Sequence, residues 1–274
     1  MVYTCHAGFS PPFTKAIMTS PSPKKPLQVK LDMYLAPPSE PGFRAMTDCL
    51  CHDLGDYARL APDRDPAELA QNGQLILGHI CAITFARAKT GLYHYLGALS
   101  PRAPETPQGH YRSVIVAHKD STIQSMSDID PTRHQIAVNE IGSFSGQIIL
   151  SHMLLGHGAL AFPHQTLTGG HALSAKAVAE ERADLTALDE ISYALIKRND
   201  PKTAKNLRII GHSASHPGLA FVTSGQTDAA TLALLRARLL QFFETQSGQA
   251  LAEVLDLRGA TYIDPAAYKP LCDL

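Results

Sequence analysis

Apolar positions change period repeatedly along this chain, and the changes outline alternating strands and helices. Residues 27–34 (LQVKLDMY) have the period of a strand and end in a turn cluster, APPSEPG. Residues 43–54 then repeat at helical spacing as far as Gly55, a C-cap position. Asp65 as N-cap and Pro66 at the first helical position predict a second helix. Residues 75–77 read as a short strand, followed by Gly78-His79 and a helix over 81–89. Residues 92–99 predict another strand, and the Pro- and Gly-rich loop SPRAPETPQGH closes this block.

From Tyr111 the alternation is cleaner. Residues 111–118 (YRSVIVAH) and 135–139 (QIAVN) predict strands, and the turn Gly142-Ser143-Phe144-Ser145-Gly146 leads straight into a helical run, 147–156. A strand over 165–168 precedes Gly169-Gly170-His171, which opens a helix over 172–181. Residues 185–188 form a strand ending at Asp189, with a helix through Lys197 behind it. Residues 207–210 and 219–223 are the last clear strands. Beyond them the pattern over 227–257 is helical, with apolar residues three and four apart.

Such alternation predicts an α/β protein with parallel sheets covered by helices on both faces. Two blocks that separate near residue 111 and rejoin near 220 predict two lobes joined by two crossings. Residues 1–25 are then an N-terminal tail, 26–112 plus 219–274 one lobe, and 113–218 the other. In open α/β sheets a ligand lies beyond the carboxyl ends of the strands. Those ends carry Tyr34, Gly78-His79, the GSFSG turn, Gly170-His171 and Asp189, with Tyr111 at the first crossing.

Composition narrows the functional classes. The 274 residues are 45% hydrophobic and 18% charged, which excludes a disordered chain. Lys and Arg total 24 against 25 Asp and Glu, so no basic excess is present for a phosphate backbone and nucleic acid is not an expected partner. No apolar run approaches the roughly 18 residues of a membrane span. The five cysteines are odd in number and contain no CxxC pair, which favours free thiols over a disulfide framework or a zinc site. The 13 histidines are scattered without HExxH spacing, so no metal or other cofactor is expected. The first 26 residues lack the basic start, apolar stretch and cleavage site of a signal peptide.

The GSFSG turn carries the most chemistry. A helix N-terminus offers unpaired N–H groups and the positive end of a dipole, serines add hydroxyls, and Gly142 and Gly146 allow close backbone approach. Such a turn would grip a phosphate, phosphonate or carboxylate without a lysine. The same residues also read as an ordinary serine N-cap. His171 repeats this geometry one strand later and is equally readable as a capping or loop histidine. Asp189 is read first as the cap of the helix that follows it, and second as a partner for a cationic ligand group. GSFSG is not a nucleophile elbow, since Phe144 stands at its centre. It is also neither a Walker loop nor a GxGxxG turn.

In order and spacing, YRSVIVAHKDSTIQSMSDI, IAVNEIGSFSGQIIL, LTGGHALSAKAVAEERADLTALDE and HSASHPGLAFVTSG resemble the phosphate/phosphonate-binding proteins of ABC importers. The resemblance spans roughly residues 27–255. Tyr111, Ser113, Val114, Val116, Lys119, Asp120 and Ser121 match that family's first crossing. Its Ser-Thr-Ser-Gly anion turn falls on Ser143, Phe144, Ser145 and Gly146, and its Gly-His helix start on Gly170 and His171. Its strand entry falls on Ala183 and Asp184, and its hinge segment on Ser213 and Pro217. The resemblance implies a type II periplasmic-binding-protein fold whose lobes close on a small oxyanion. It also implies a permease partner if the chain is exported, and a monomer. The implied ligand contacts are Ser143, Phe144, Ser145, Gly146, His171, Tyr111 and Asp189, with Tyr34 and His79 added from strand position. Two departures leave a larger ligand or a different oxyanion open: Phe144 replaces a hydroxyl, and Gly78-His79 stands where an aromatic-rich turn is usual. On that logic Phe144→Thr is expected to fold normally and to tighten phosphonate binding. The alternative function is a cytosolic enzyme on the same fold, as in menaquinone or thiamine-pyrimidine synthesis.

Overall fold

YRSVIVAH is apolar on successive residues because both faces of its strand are buried. Side chains alternate across a strand, so Val114 and Val116 pack with Leu188 and Leu207 on one side. Ile115 and Ala117 pack with Ile136, Leu185 and Ile210 on the other. The computed structural model describes residues 26–58, 64–156 and 162–274. The tail expected over 1–25 lies outside the described residues.

In chain order the first part forms β1 (Leu27–Lys30), α1 (Glu40–Cys51), β2 (Tyr57–Ala58), α2 (Pro66–Gln71), β3 (Leu75–Ile80), α3 (Ala82–Ala86) and β4 (Tyr93–Pro101). The crossing pieces β5 (His110–Tyr111) and β6 (Ser113–His118) lead to β7 (Ile136–Val138). A π turn (Phe144–Ile148) runs into α4 (Ile149–Leu155), followed by β8 (Gln165–Leu167) and α5 (His171–Ala179). Then come β9 (Leu185–Asp189), α6 (Glu190–Asn199), α7 (Pro201–Ala204) and β10 (Leu207–His212). The return forms β11 (His216–Pro217), β12 (Ala220–Ser224), α8 (Ala229–Phe242), α9 (Gln246–Leu255), β13 (Leu257–Thr261) and a closing 3₁₀ segment, Pro265–Asp273.

Two sheets result. One has the order β13-β4-β12-β3-β1-β2, the other β10-β6-β9-β7-β8, and the β5–β11 ribbon lies between them. The two sheets give the fold two lobes.

The sheets are mixed rather than parallel. Strand β12 runs antiparallel to β3 and β4, β13 to β4, and β6 to both β9 and β10. Parallel neighbours need a crossover helix to bring the chain back. Here β12 re-enters the first sheet directly from the other lobe, without one.

Several boundaries also differ from those read in the sequence. Strand β1 stops at Lys30, so Tyr34 sits in a loop. Helix α1 ends at Cys51 with His52 as C-cap, three residues before Gly55. Strand β3 runs through Gly78-His79 to Ile80, which shortens α3 to five residues. Helix α9 ends at Asp256 in the left-handed region (φ 56°), releasing β13 where the pattern suggested more helix. Asp65 caps α2 as its sequence indicates, accepting from Ala67 N at 2.9 Å.

The 3₁₀ segment braces the second crossing. Tyr268 is fully buried and its hydroxyl donates to the Gly218 carbonyl at 2.7 Å. Tyr268→Phe leaves that carbonyl without its phenol donor and should cost about 1–3 kcal/mol. A urea unfolding curve checks this: the midpoint should fall, and an unchanged midpoint contradicts the bracing role.

Candidate functional site

The turn after β7 is shaped by its own side chains. Gly142 adopts φ 79°, and its N–H donates to Gln147 Oε1 at 2.7 Å. Ser143 N-caps the π turn, with Oγ accepting from Gly146 N at 3.3 Å and from Asn139 Nδ2 at 3.0 Å. Gly146 is buried, and a Cβ there would overlap Asn139 Oδ1. Its glycine therefore serves packing against Asn139 rather than approach to an anion. The Ser143 carbonyl accepts from both Gln147 N and Ile148 N at 3.0 Å, the wide closure of a π turn.

Ser145 and His171 meet across this turn. Ser145 Oγ lies 3.2 Å from His171 Nε2, and the same nitrogen lies 3.2 Å from Asp189 Oδ2. Asp189 Oδ1 accepts from Ser192 N at 2.9 Å, so the capping role of Asp189 is real and coexists with the histidine contact. Burial holds the His171 pKa below its ordinary value, although the Asp189 charge opposes the shift. The ring is thus neutral near pH 7. Since a carboxylate only accepts, Nε2 carries the proton. One nitrogen facing both partners is not the relay of a serine hydrolase, in which serine and aspartate engage opposite ring nitrogens.

Two phenols stand beside this group. The hydroxyls of Tyr34 and Tyr111 are buried, the first beside the Asp189 carboxylate and the second beside Ser145. Burial, reinforced for Tyr34 by the nearby Asp189 charge, raises both pKa values well above the usual phenol range. Both are kept as neutral donors.

A cavity of about 1220 Å³ opens between the two sheets. Tyr34, Ser143, Ser145, His171 and Asp189 line it; Tyr111, Phe144, Gly146 and His79 are not among its wall residues. Phe144 turns its ring into the core, 6.4 Å from Tyr111 and 5.2 Å from His216, because an aromatic ring gains more from burial than from a polar cavity. His79, mid-strand in β3, stacks on Phe221 at 4.1 Å and sits behind Tyr34 at 5.5 Å. Burial pushes its pKa down to about 3, so it is a neutral packing ring.

A model of the family described as ABC transporter, phosphonate, periplasmic substrate-binding protein matches residues 40–268. The chain belongs to this family. No curated protein matches it in a sequence search. Among solved structures it is similar to a binding protein component of an ABC phosphonate transporter from Pseudomonas aeruginosa, with TM-score 0.71 and 15% identity over 90% of this chain and 85% of that one. PhnD1 of Prochlorococcus marinus in complex with methylphosphonate gives 0.72 and 15% over 89% and 95%. A Xanthomonas citri protein bound to ATP gives 0.64 and 19% over 89% and 93%.

This member of the phosphonate-binding family also has wall residues that the sequence did not single out. Cys81 is one: its thiol is approached by the N–H groups of Phe144, Ile83 and Thr84, yet burial dominates and raises its pKa. Its place directly after a strand was a usable signal. Ser192, Leu195, Ile196 and Asn199 of α6 are others, recognisable by their helical spacing once the facing surface is known. Cys51, Cys81 and Cys272 are free thiols, and no metal-binding group of side chains occurs among the described residues.

Two outcomes follow. Phe144→Thr removes a fully buried ring and, contrary to the expectation of normal folding, should cost about 2–4 kcal/mol. Chemical denaturation measures this, and unchanged stability would contradict the core placement. His79 takes up a proton more readily unfolded than folded, so its contribution is intact above pH 6.5 and is lost as pH falls toward 3. Stability should therefore drop on acidification by up to about 1.4 kcal/mol per pH unit, and His79→Phe should flatten that slope in pH-dependent unfolding.

Proposed function

We propose that this protein captures an organic oxyanion between its two lobes and passes it unchanged to an ABC permease. The observation that carries the reading is the convergence of uncharged polar side chains on one cavity. Ser143, Ser145, neutral His171 and Tyr34 line it together, beside the start of the π turn and of α5. Helix starts add N–H groups and a positive dipole end. Among the described residues Arg198 is the only Lys or Arg in the wall, against Asp32, Glu140, Asp189 and Asp200. The anion is therefore met by hydrogen bonds rather than by ion pairs, so its binding should depend only weakly on salt.

Phosphonates are the first class to test, because the family is defined by them and PhnD1 holds methylphosphonate. The proposed contacts are Ser143, Ser145 and His171 from one lobe and Tyr34 from the other. The lobes are proposed to divide at residues 112/113 and 218/219, to close on the ligand, and to work as a periplasmic monomer. His171 Nε2 faces both Ser145 and Asp189, which supports binding without chemistry. Ligand affinity then reflects how much better the closed form holds the anion than the open form does.

Ser145→Ala removes one donor to a charged group and should weaken phosphonate binding by about tenfold to a hundredfold. Titration calorimetry against methylphosphonate measures the loss, and phosphorus NMR of the same mixture should show the ligand unchanged. Unaltered affinity in the variant, or a new phosphorus signal, would overturn the reading.

A further inference from the structure

We propose that the ligand of this cavity is an oxyanion carrying an unbranched apolar tail of roughly six to eight carbons, laid along α6. This rests on the reading of the cavity as an oxyanion site and extends it to a substrate class. The volume is the first reason: about 1220 Å³ exceeds even the roughly 300–1,000 Å³ of pockets for drug-sized molecules. Phosphate or methylphosphonate would fill only a small part.

Shape is the second reason. Ser192, Leu195, Ile196 and Asn199 all line the cavity. They lie at i, i+3, i+4 and i+7 on one helix, so they form a single stripe. The stripe starts one turn from Asp189, whose carboxylate meets His171, and runs about 10 Å toward the far end of α6. The opposing wall is the loop after β1, with Met33, Leu35, Ala36, Pro37 and Pro38. Tyr34 of the same loop lies beside Asp189 at the anion end.

Exposure and charge decide what the groove wants. Among the described residues seven large apolar side chains are exposed, and two of them line this cavity. Met33 on one lobe is 42% exposed and Ile141 on the other 57%. A tail that reaches both would cover them. Part of the polar surface at the far end is engaged within the protein. Asp200 accepts from Thr203 N at 3.0 Å and from its Oγ1 at 2.6 Å, and one Arg198 N–H donates to the Glu253 carbonyl. Methylenes laid along the stripe would meet Leu195, Ile196 and the two prolines.

The test is calorimetric titration of the full chain with inorganic phosphate, methyl-, butyl- and octylphosphonate, and octylamine. Affinity should rise with tail length, by about threefold to fourfold for each methylene that becomes buried, and octylamine should bind at least tenfold more weakly than octylphosphonate. Met33→Ser and Ile141→Ser, at exposed positions, should weaken octylphosphonate several-fold and leave methylphosphonate unchanged. Tight methylphosphonate binding with no gain, or a loss, on lengthening the tail overturns this inference and leaves the oxyanion reading standing. Octylamine binding as tightly as octylphosphonate overturns it as well. If none of the phosphonates nor phosphate binds, the oxyanion reading falls and the tail with it.

Discussion

Ser113 sits where the first sheet hands the chain to the second, and its hydrogen bonds join the two crossings and the turn after β7 in one network. Its N–H donates to Ser213 Oγ at 2.9 Å, and its carbonyl accepts from Ser213 N at 2.9 Å, tying the outgoing crossing to the return. Its hydroxyl donates to the Ser145 carbonyl at 2.8 Å, which fixes the residue that faces the cavity. In the β ladder it is paired with Asp189, the partner of His171. All of this is buried, so each bond replaces water that is not there and is costly to lose. The two crossings and the placing of Ser145 and Asp189 therefore share one small set of bonds.

The electrostatic design follows from the same packing. Burial leaves His171 uncharged and keeps Tyr34 and Tyr111 protonated, so the polar groups in and beside the cavity are neutral apart from its carboxylates and Arg198. Asp32 is engaged by Lys30, Asp189 by His171 and Ser192, and Asp200 by Thr203. Three of the four wall carboxylates are thus hydrogen-bonded within the protein, which leaves their oxygens less free to oppose an anion held by the hydroxyls of the turn. Such a site suits an ion that has to be released again, since a buried ion pair is slow and costly to separate.

Sequence pattern revealed burial well and direction poorly. The continuous apolar runs at 113–118 and 185–189 mark strands covered on both faces, and that is what they are. Nothing in a period of two says which way a neighbour runs, so the antiparallel crossings were invisible. LRGAT has no alternation to announce β13, and the preceding helix stops on Asp256 rather than on a glycine. Gly78-His79 resembles a turn by composition but is a strand whose histidine stacks on Phe221. At the binding turn, the serines and His171 were readable from helix starts. Phe144 was not, because the choice between cavity and core is made by Tyr111 and His216, both remote in sequence. The α6 stripe was present as spacing, but which surface it faces is set by the loop after β1.

The central claim is that an oxyanion is held between the lobes by neutral donors on the turn after β7. A crystal structure of the protein with butylphosphonate tests it most directly. The account predicts phosphonate oxygens within hydrogen-bond distance of Ser145 Oγ and the Tyr34 hydroxyl, with one lobe on each side of the ligand. A phosphonate bound at Arg198, or on the outer surface of either lobe with the cavity left to water, would contradict it.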